Sequence, residues 1–339
     1  MPKKNLSAPF PYFGGKYKVA DEVWARFGPV DNYIEPFGGS LAVLLARPES
    51  HEWWNKKETA GDFSGHVVNF YRAVSAEPDK LAELALYPVA EADLTARHLY
   101  LVRYENTLAE KLAMDPKFYD LEAAAWWVWG ISAWVGGDWM SGKGAWKPEV
   151  EEGEEPGPGV YRKMPMVAGN HGGKGIHKPV KGINNASEVY ASYLQNLNGM
   201  FQLLKNRLIR VRLISGDWKR IQGAASKAAA GKITGVFLDP PYDPKARRLD
   251  LYGQSDDGSR DIHKEARDYA LSLTGDNSYR VAYCSYQDDE ETKLFEDAGW
   301  SPYSWTASGG YGLQSDNQAR TNRDLEIIWF SPNCLPKDD

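Results

Sequence analysis

The residues best suited to chemistry are four consecutive ones, Asp239, Pro240, Pro241 and Tyr242, which follow the apolar segment Gly235–Leu238. That segment predicts a buried strand, and ligands of open α/β sheets bind beyond the carboxyl ends of strands. Proline fixes its backbone angle and offers a carbonyl without a competing N–H, so Asp239 and the Pro240 carbonyl provide two neighbouring acceptors. Two acceptors beside the flat Tyr242 ring suit a planar amine, such as N6 of adenine. The alternative is a strand that ends in a proline turn and binds nothing.

A glycine turn at Gly38–Gly39 is a second candidate site. It follows Asn32–Phe37, which predicts a strand that ends at Pro36, and it precedes Ser40–Arg47, which predicts a helix. A glycine turn between a strand and a helix allows a cofactor to approach the backbone closely. Asp62 comes 62 − 39 = 23 residues after the turn, near the spacing at which an acidic residue holds a ribose in nucleotide-binding α/β folds. Each feature alone is also compatible with a surface turn.

The pattern of apolar residues divides the chain into three parts. Residues 1–70 and 205–339 alternate short apolar strands with helical segments, whereas residues 71–204 are helical and then rich in glycine and proline. Alternation of strands and helices predicts an α/β fold with a doubly wound, mostly parallel sheet that helices cover on both faces. The predicted helices are Leu81–Leu86, Leu94–Met114, Glu122–Val135, His263–Thr274 and Asp288–Ala298, the further strands are Ile209–Ser215, Tyr279–Ser285 and Leu325–Phe330, and a long loop is predicted over 136–186.

The glycine- and proline-rich segment has a basic character that suits phosphate binding. Residues 156–185 contain lysine and arginine but no acidic residue, and aromatic and basic residues interleave just before them. Phosphates attract such a segment, and exposed aromatic rings stack on bases or wedge between them. The predicted DNA contacts are Trp139, Lys143, Lys147, Arg162, Lys163, Lys174, Lys178 and Lys181, with a solvated loop as the alternative. The tryptophans of the preceding helix, Trp126, Trp127, Trp129 and Trp134, are instead predicted to lie in a core.

Composition argues against several other classes of protein. The net charge of −6 disfavours nucleic-acid binding by overall charge, so any such affinity must come from a local basic face. No apolar run is long enough to span a membrane, no signal peptide is predicted, and two cysteines suit a reducing cytoplasm. The six histidines show no metal-ligand spacing, so no metal is expected. Neither Cys284 nor Cys334 follows a proline, which argues against the covalent chemistry of cytosine C5 methylation.

Several motifs, in order along the chain, resemble those of the Dam-type (D12 class) N6-adenine-specific DNA methyltransferases. Tyr12–Lys16 is similar to that family's N-terminal aromatic-x-Gly-Gly-Lys motif, and Tyr33–Gly39 is similar to its S-adenosylmethionine motif. The later matches are Gly61–Phe63 with the acidic ribose motif, Ser215–Trp218 with the acid-aromatic pair beside the cofactor adenine, Asp239–Tyr242 with the catalytic motif, and Glu326–Pro332 with the closing strand. Ser40 and Leu41 stand where the family's turn often has another glycine.

The resemblance implies a class I methyltransferase, with a Rossmann-like catalytic and cofactor-binding domain over 1–70 and 205–339. A helical and loop-rich DNA target-recognition domain over 71–204 would be inserted in it. The implied activity is transfer of a methyl group from S-adenosylmethionine, without a metal, to N6 of an adenine flipped out of double-stranded DNA. In this activity, Asp239 and the Pro240 carbonyl would accept hydrogen bonds from N6, and Tyr242 would stack on the base.

The resemblance also implies which residues form the site. The implied catalytic residues are Asp239, Pro240, Pro241 and Tyr242. The implied cofactor-binding residues are Tyr12, Phe13, Gly15, Lys16, Glu35, Pro36, Phe37, Gly38, Gly39, Asp62, Asp217, Trp218 and Asp239. Two alternatives remain open, namely a methyltransferase acting on an amine or amide nitrogen of RNA or protein, and a DNA-binding protein with a degenerate methylase fold.

Overall fold

The computed structural model describes residues 6, 8–12, 15–133, 139, 189–221, 232–241, 262–305 and 326–336. The chain divides into two compact units. The sheet unit comprises Met1–Ser7, Gly14–Phe63 and Arg210–Asp339, and the helical unit comprises Ala8–Phe13 and Ser64–Ile209. The division of the chain into a catalytic domain and a target-recognition domain assigns a function to each part, and that assignment stays a prediction.

Helices and strands alternate in the sheet unit, whereas the described residues of the helical unit form helices and no strands. In chain order the elements are α1 (Ala20–Phe27), β1 (Asn32–Glu35), α2 (Ala42–Leu45), β2 (Lys57–Asp62), α3 (Gly65–Ala76), α4 (Pro78–Ala85), α5 (Glu91–Met114), α6 (Leu121–Ala133), α7 (Val189–Leu208), β3 (Val211–Ser215), β4 (Thr234–Leu238), α8 (Ile262–Ser272), β5 (Tyr279–Tyr286), α9 (Asp289–Asp297), β6 (Ser301–Ser304) and β7 (Glu326–Phe330). Two short 3₁₀ helices, Glu49–His51 and Trp53–Asn55, lie between α2 and β2.

In the described part of the chain, seven strands form one sheet in the order β3-β2-β1-β4-β5-β7-β6. Strands β1 to β5 run parallel to one another, whereas β7 runs antiparallel to both β5 and β6. The chain moves outward from β1 to β3 and then returns to place β4 on the other side of β1. The predicted mostly parallel sheet is therefore confirmed, and its strand order reverses between β1 and β4, where open α/β sheets bind ligands.

The central strands are apolar because helices cover both faces of the sheet. Every residue of β1, β4 and β7 is buried, as expected of strands that no face exposes to water. On one face, the ring of Phe295 from α9 stacks on Trp329 of β7 with centroids 5.1 Å apart. This packing covers the β7 side of the sheet with an apolar layer.

The helical unit is built around aromatic side chains. Phe70 of α3 and Trp127 of α6 lie with ring centroids 6.0 Å apart, and Phe10 and Phe201 pack against them. Trp127 and Trp129 are buried, which confirms the predicted core role of these two tryptophans. Trp126 is only partly buried, and Trp134 lies outside the described residues.

Trp139 differs from its predicted place on a DNA-facing surface. Its side chain is 9% exposed, and its ring centroid lies 5.3 Å from that of His98 in α5. The indole also covers Gly130 of α6, where any larger side chain would overlap it. The ring is therefore not exposed as predicted, and its contact with DNA stays a prediction.

Candidate active site at the carboxyl edge of the sheet

Acidic residues stand at the carboxyl ends of four neighbouring parallel strands. Glu35 and Asp62 are the last residues of β1 and β2. Asp217 follows β3 by two residues, and Asp239 follows β4 directly. Because parallel strands end at the same edge of a sheet, the fold gathers these four side chains at one edge. We call this edge, with the turns that follow each strand, the acidic edge.

The glycine turn after β1 is fastened to the end of β2. The Gly39 N–H donates a hydrogen bond to Asp62 Oδ2 at 2.8 Å, and the Gly38 N–H donates to the Gly61 carbonyl at 2.7 Å. Leu41 then adopts a left-handed conformation with φ of 55°, which costs a residue with a side chain more than it costs glycine. The helix that follows is four residues long, from Ala42 to Leu45, and so is shorter than the helix predicted over Ser40–Arg47.

Replacing Gly38 with alanine is expected to disturb this turn. A Cβ at that position would lie 2.7 Å from Leu41 Cδ2 and 3.1 Å from the Gly61 carbonyl oxygen. Overpacking of this kind typically lowers the free energy of unfolding by about 1–3 kcal/mol. It should also weaken the binding of any ligand at the turn. Urea unfolding and calorimetric titration with S-adenosylmethionine would measure both effects. Gly199→Ala in α7 is a matched control, because a Cβ there meets nothing within 4 Å, and unchanged values for Gly38→Ala would contradict the argument.

A buried lysine is paired with the acid that follows β4. Lys16 is 3% exposed, and its Nζ donates a hydrogen bond to Asp239 Oδ2 at 2.9 Å. Glu326 Oε2 lies 3.9 Å from the same Nζ. Burial alone would lower the pKa of Lys16, but the charges of Asp239 and Glu326 more than offset it and hold that pKa above its ordinary value. The ammonium therefore stays charged next to Asp239.

Glu35 is buried and makes its hydrogen bonds within the sheet unit. It is 2% exposed, and its Oε2 accepts from the Tyr33 hydroxyl at 3.0 Å and from the Leu44 N–H at 3.1 Å. Burial raises the pKa of Glu35 to about 8, and the negative charge of Asp239 adds to that rise. At neutral pH Glu35 is thus mostly protonated. The acidic edge then carries less negative charge than its sequence indicates.

An aromatic cluster lies next to the acid that follows β3. Trp218 is 5% exposed, and its ring centroid lies 5.6 Å from that of Phe37 and 5.7 Å from that of Tyr269. Its indole N–H is buried, and no described residue accepts a hydrogen bond from it. Asp217 Oδ1 accepts from the Lys219 N–H at 2.8 Å, which holds the turn after β3.

The remaining predicted residues divide between the two units and the part of the chain outside the described residues. Gly15, Pro36, Pro240 and Pro241 belong to the sheet unit, and Pro240 is buried. Tyr12 belongs to the helical unit, where its ring lies 6.0 Å from that of Phe10, and its cofactor role stays a prediction. Outside the described residues lie Phe13, Tyr242, Lys143, Lys147, Arg162, Lys163, Lys174, Lys178 and Lys181.

The described part of the chain contains neither a metal-binding cluster nor a membrane-spanning helix. Its histidine, cysteine and acidic side chains form no group of three that could hold a metal ion. None of its helices is long and apolar enough to cross a membrane.

Comparison with known families agrees with the motifs at the acidic edge. The family model described as D12 class N6 adenine-specific DNA methyltransferase matches residues 12–121, which include the glycine turn and Asp62. This match confirms the predicted resemblance, and the sheet of seven mostly parallel strands flanked by helices is consistent with a class I methyltransferase fold. No curated protein matches the sequence.

Proposed function

We propose that the chain, whose residues 12–121 match the D12 class N6 adenine-specific DNA methyltransferase family, methylates N6 of an adenine flipped out of double-stranded DNA. S-adenosylmethionine, the cofactor that the family implies, would supply the methyl group. The observation that carries the proposal is the position of Asp239. It follows β4 directly, beside β1, where the strand order reverses. A ligand bound at this switch point would meet Asp239 and Pro240 together.

The residues of the acidic edge fit this cofactor. Gly38 and Gly39 have no side chains, so none covers the backbone of the turn, and a ligand could approach it closely. The carboxylates of Asp62 and Asp217 are suited to the ribose hydroxyls and to the adenine end. The partly buried Phe37 ring, which packs on the buried Trp218, offers an apolar surface beside them. Several carboxylates at one edge also suit the positive charge of a sulfonium.

Asp239 is the proposed acceptor for the amino group of the target base. A carboxylate that accepts a hydrogen bond from N6 increases electron density on that nitrogen as it becomes a nucleophile. The interaction strengthens in the transition state and therefore increases the rate rather than only the affinity. The hydrogen bond from Lys16 holds one oxygen of Asp239 in a fixed orientation. The Pro240 carbonyl is the proposed second acceptor, Pro241 fixes the backbone that follows it, and the ring of Tyr242 is proposed to stack on the base.

Replacing Asp62 or Asp217 with alanine is expected to weaken cofactor binding more than it slows turnover at saturating cofactor. Each carboxylate lies at the end of a strand next to the glycine turn or the aromatic pair. Calorimetry with S-adenosylmethionine and initial rates at saturating cofactor would separate the two effects. An unchanged cofactor affinity in both variants would contradict the assignment.

We assign DNA binding to the inserted region over 71–204. The whole chain is acidic, so its affinity for DNA must come from a local basic face, and 156–185 has basic but no acidic residues. The proposed contacts are Lys143, Lys147, Arg162, Lys163, Lys174, Lys178 and Lys181.

Neutralising Arg162, Lys163, Lys174 and Lys178 together is expected to weaken DNA binding and to flatten its salt dependence. A protein that neutralises fewer phosphates releases fewer counterions. The slope of log K against log salt is negative, and it becomes shallower by about 0.9 for each phosphate no longer neutralised. DNA affinity across a salt series would measure this change. Cofactor affinity, measured in parallel, should stay the same. An unchanged slope would place the DNA elsewhere on the chain.

The reaction itself is tested with cofactor carrying a tritiated methyl group. The protein is incubated separately with duplex DNA, RNA and a protein mixture, and the labelled product is digested and identified. We expect N6-methyladenine in the duplex DNA. Label in RNA or protein would favour a different nitrogen substrate. Binding of DNA with no transfer to any substrate would indicate a degenerate methylase fold.

A further inference from the structure

We propose that Glu326 is a positioning residue for methyl transfer, because its carboxylate shares the ammonium of Lys16 with Asp239. This inference rests on the proposed function. Lys16 would orient Asp239, and the charge of Glu326 would keep the ammonium of Lys16 from fully neutralising the charge of Asp239. Neither the sequence motifs nor the family match, which ends at residue 121, gives Glu326 such a role.

Strand direction explains how a residue near the end of the chain reaches this place. Strand β7 runs antiparallel to β5, and Glu326, its first residue, pairs with Tyr286 at the carboxyl end of β5. The start of β7 therefore lies at the edge where the parallel strands end. There Glu326 is 7% exposed, and its Oε2 is 3.9 Å from Lys16 Nζ.

The three charges are arranged asymmetrically. The distance from Lys16 Nζ to Asp239 Oδ2 is 2.9 Å, a hydrogen bond, whereas the 3.9 Å to Glu326 is an ion-pair distance. Asp239 keeps 18% of its side chain exposed, while Lys16 is 3% exposed. The ammonium thus holds Asp239, the more exposed carboxylate, by a hydrogen bond. Glu326, the more buried carboxylate, supplies further negative charge.

Electrostatics gives this arrangement a function. A buried ammonium paired with Asp239 alone would draw electron density from that carboxylate and weaken it as an acceptor for N6. With Glu326 present, two carboxylates share one ammonium, and the group has a net charge of −1. Removing a partner from a buried charged group is strongly unfavourable, so the ammonium of Lys16 stays in place between them.

Two further titratable groups in the described part of the chain, Glu35 and Cys284, do not change this count at neutral pH. Burial raises the pKa of Glu35 to about 8, so its carboxyl group is mostly neutral. Burial also raises the pKa of Cys284, which faces Lys16, Asp239 and Glu326, and its thiol stays protonated. The net negative charge therefore belongs to Asp239 and Glu326.

Glu326→Gln tests the proposal because it removes the charge and preserves the size of the side chain. We expect the single-turnover rate of methyl transfer to duplex DNA to fall by about 10-fold or more, a part of the effect typical of losing a whole preorganised group. The dissociation constants for S-adenosylmethionine and for DNA should stay within about twofold, because the charge acts on Asp239 and not on binding. Glu291→Gln is the control. Glu291 is also a buried carboxylate of the sheet unit, but it pairs with His263.

A variant that keeps the charge but not the size separates this role from packing. Glu326→Asp keeps the carboxylate but places it farther from Lys16 Nζ, which lies 3.9 Å from Oε2 of Glu326. We therefore expect its single-turnover rate to lie between those of the wild type and Glu326→Gln. If Glu326 only filled space, Glu326→Gln, which keeps the size, would be the faster of the two variants. This second variant also preserves the test if Glu326→Gln fails to fold.

The outcomes are distinct. A folded Glu326→Gln protein with the wild-type rate would overturn the proposal. A folded Glu326→Asp protein that is slower than Glu326→Gln would also overturn it, since that result indicates packing alone. If the wild-type protein itself transfers no methyl group to DNA, the proposed function fails, and the inference fails with it.

Discussion

Replacing Asp239 with asparagine is expected to lower the rate of methyl transfer by about 100-fold or more while the protein stays folded. The asparagine side chain still accepts a hydrogen bond from Lys16 through its amide oxygen, but it no longer presents a negative charge to N6. Loss of one preorganised electrostatic group in an active site typically costs about 10²–10³ in rate. Single-turnover kinetics with labelled cofactor, together with circular dichroism, would measure rate and fold.

Two further variants sharpen this test. Asp239→Ala removes both the charge and the acceptor and should abolish transfer, although it also deprives Lys16 of the nearer of these two carboxylates and leaves the more distant Glu326. Asp268→Asn, an exposed carboxylate on α8 that pairs with Arg267, is the control and should retain the wild-type rate. Near-normal turnover by Asp239→Asn would remove Asp239 from the mechanism.

Replacing Arg47 with methionine is expected to lower the free energy of unfolding by about 3–5 kcal/mol, because it leaves a buried charge without compensation. Arg47 Nη1 lies 3.1 Å from Glu58 Oε1, and both side chains are almost fully buried. The guanidinium also donates to the Val30 carbonyl and lies over the Trp24 ring, 5.0 Å from its centroid. Urea unfolding would measure the decrease.

A nearby ion pair provides the comparison. Lys56 and Asp31 are separated by 2.9 Å, but their side chains keep 25% and 31% exposure. Lys56→Met should therefore cost at most about 1 kcal/mol, because water screens this pair. Adding Glu58→Met to Arg47→Met should recover part of the stability, since it removes the uncompensated carboxylate. Equal decreases for Arg47→Met and Lys56→Met would show that burial does not decide the energy of these pairs.

The same buried pair explains why some strands are not predictable from the sequence. Strand β4 is predictable because Thr234–Leu238 lies in the centre of the sheet and is buried throughout. Strand β2, Lys57–Asp62, has no apolar pattern, because Arg47 compensates Glu58 within it. Strand β6, Ser301–Ser304, includes Pro302 and alternates half-buried with exposed residues. An edge strand tolerates proline, and because β6 contains one, its sequence resembles that of a loop.

The sequence predicts those residues of the candidate site that directly follow a strand. It does not predict contacts between residues that are distant in sequence and meet only when the sheet forms. The positions of Asp62 and Asp239 after strand-like segments or turns identify them, and both lie at the acidic edge. Lys16 and Asp239 are 223 residues apart in sequence, and no local periodicity encodes a contact of that kind. The sequence marks Glu326 only as the start of a closing strand, because its place depends on the antiparallel direction of β7. The enclosure of the Trp139 ring is not predictable either, since a tryptophan beside basic residues gives the same sequence pattern whether its ring is exposed or enclosed.

The position of β7 between β5 and β6 has a consequence for synthesis of the protein on the ribosome. Strand β6 precedes β7 in the chain but pairs with it, so it has its neighbour in the sheet only after β7 has been inserted. A nascent chain that ends before residue 326 leaves the β5 edge open, and open strand edges promote association with other chains. Lys16 and Glu326 are 326 − 16 = 310 residues apart, and contacts so distant in sequence form slowly. We therefore expect newly made chains to be prone to aggregation, and to lack the contact between Lys16 and Glu326, until β7 has left the ribosome.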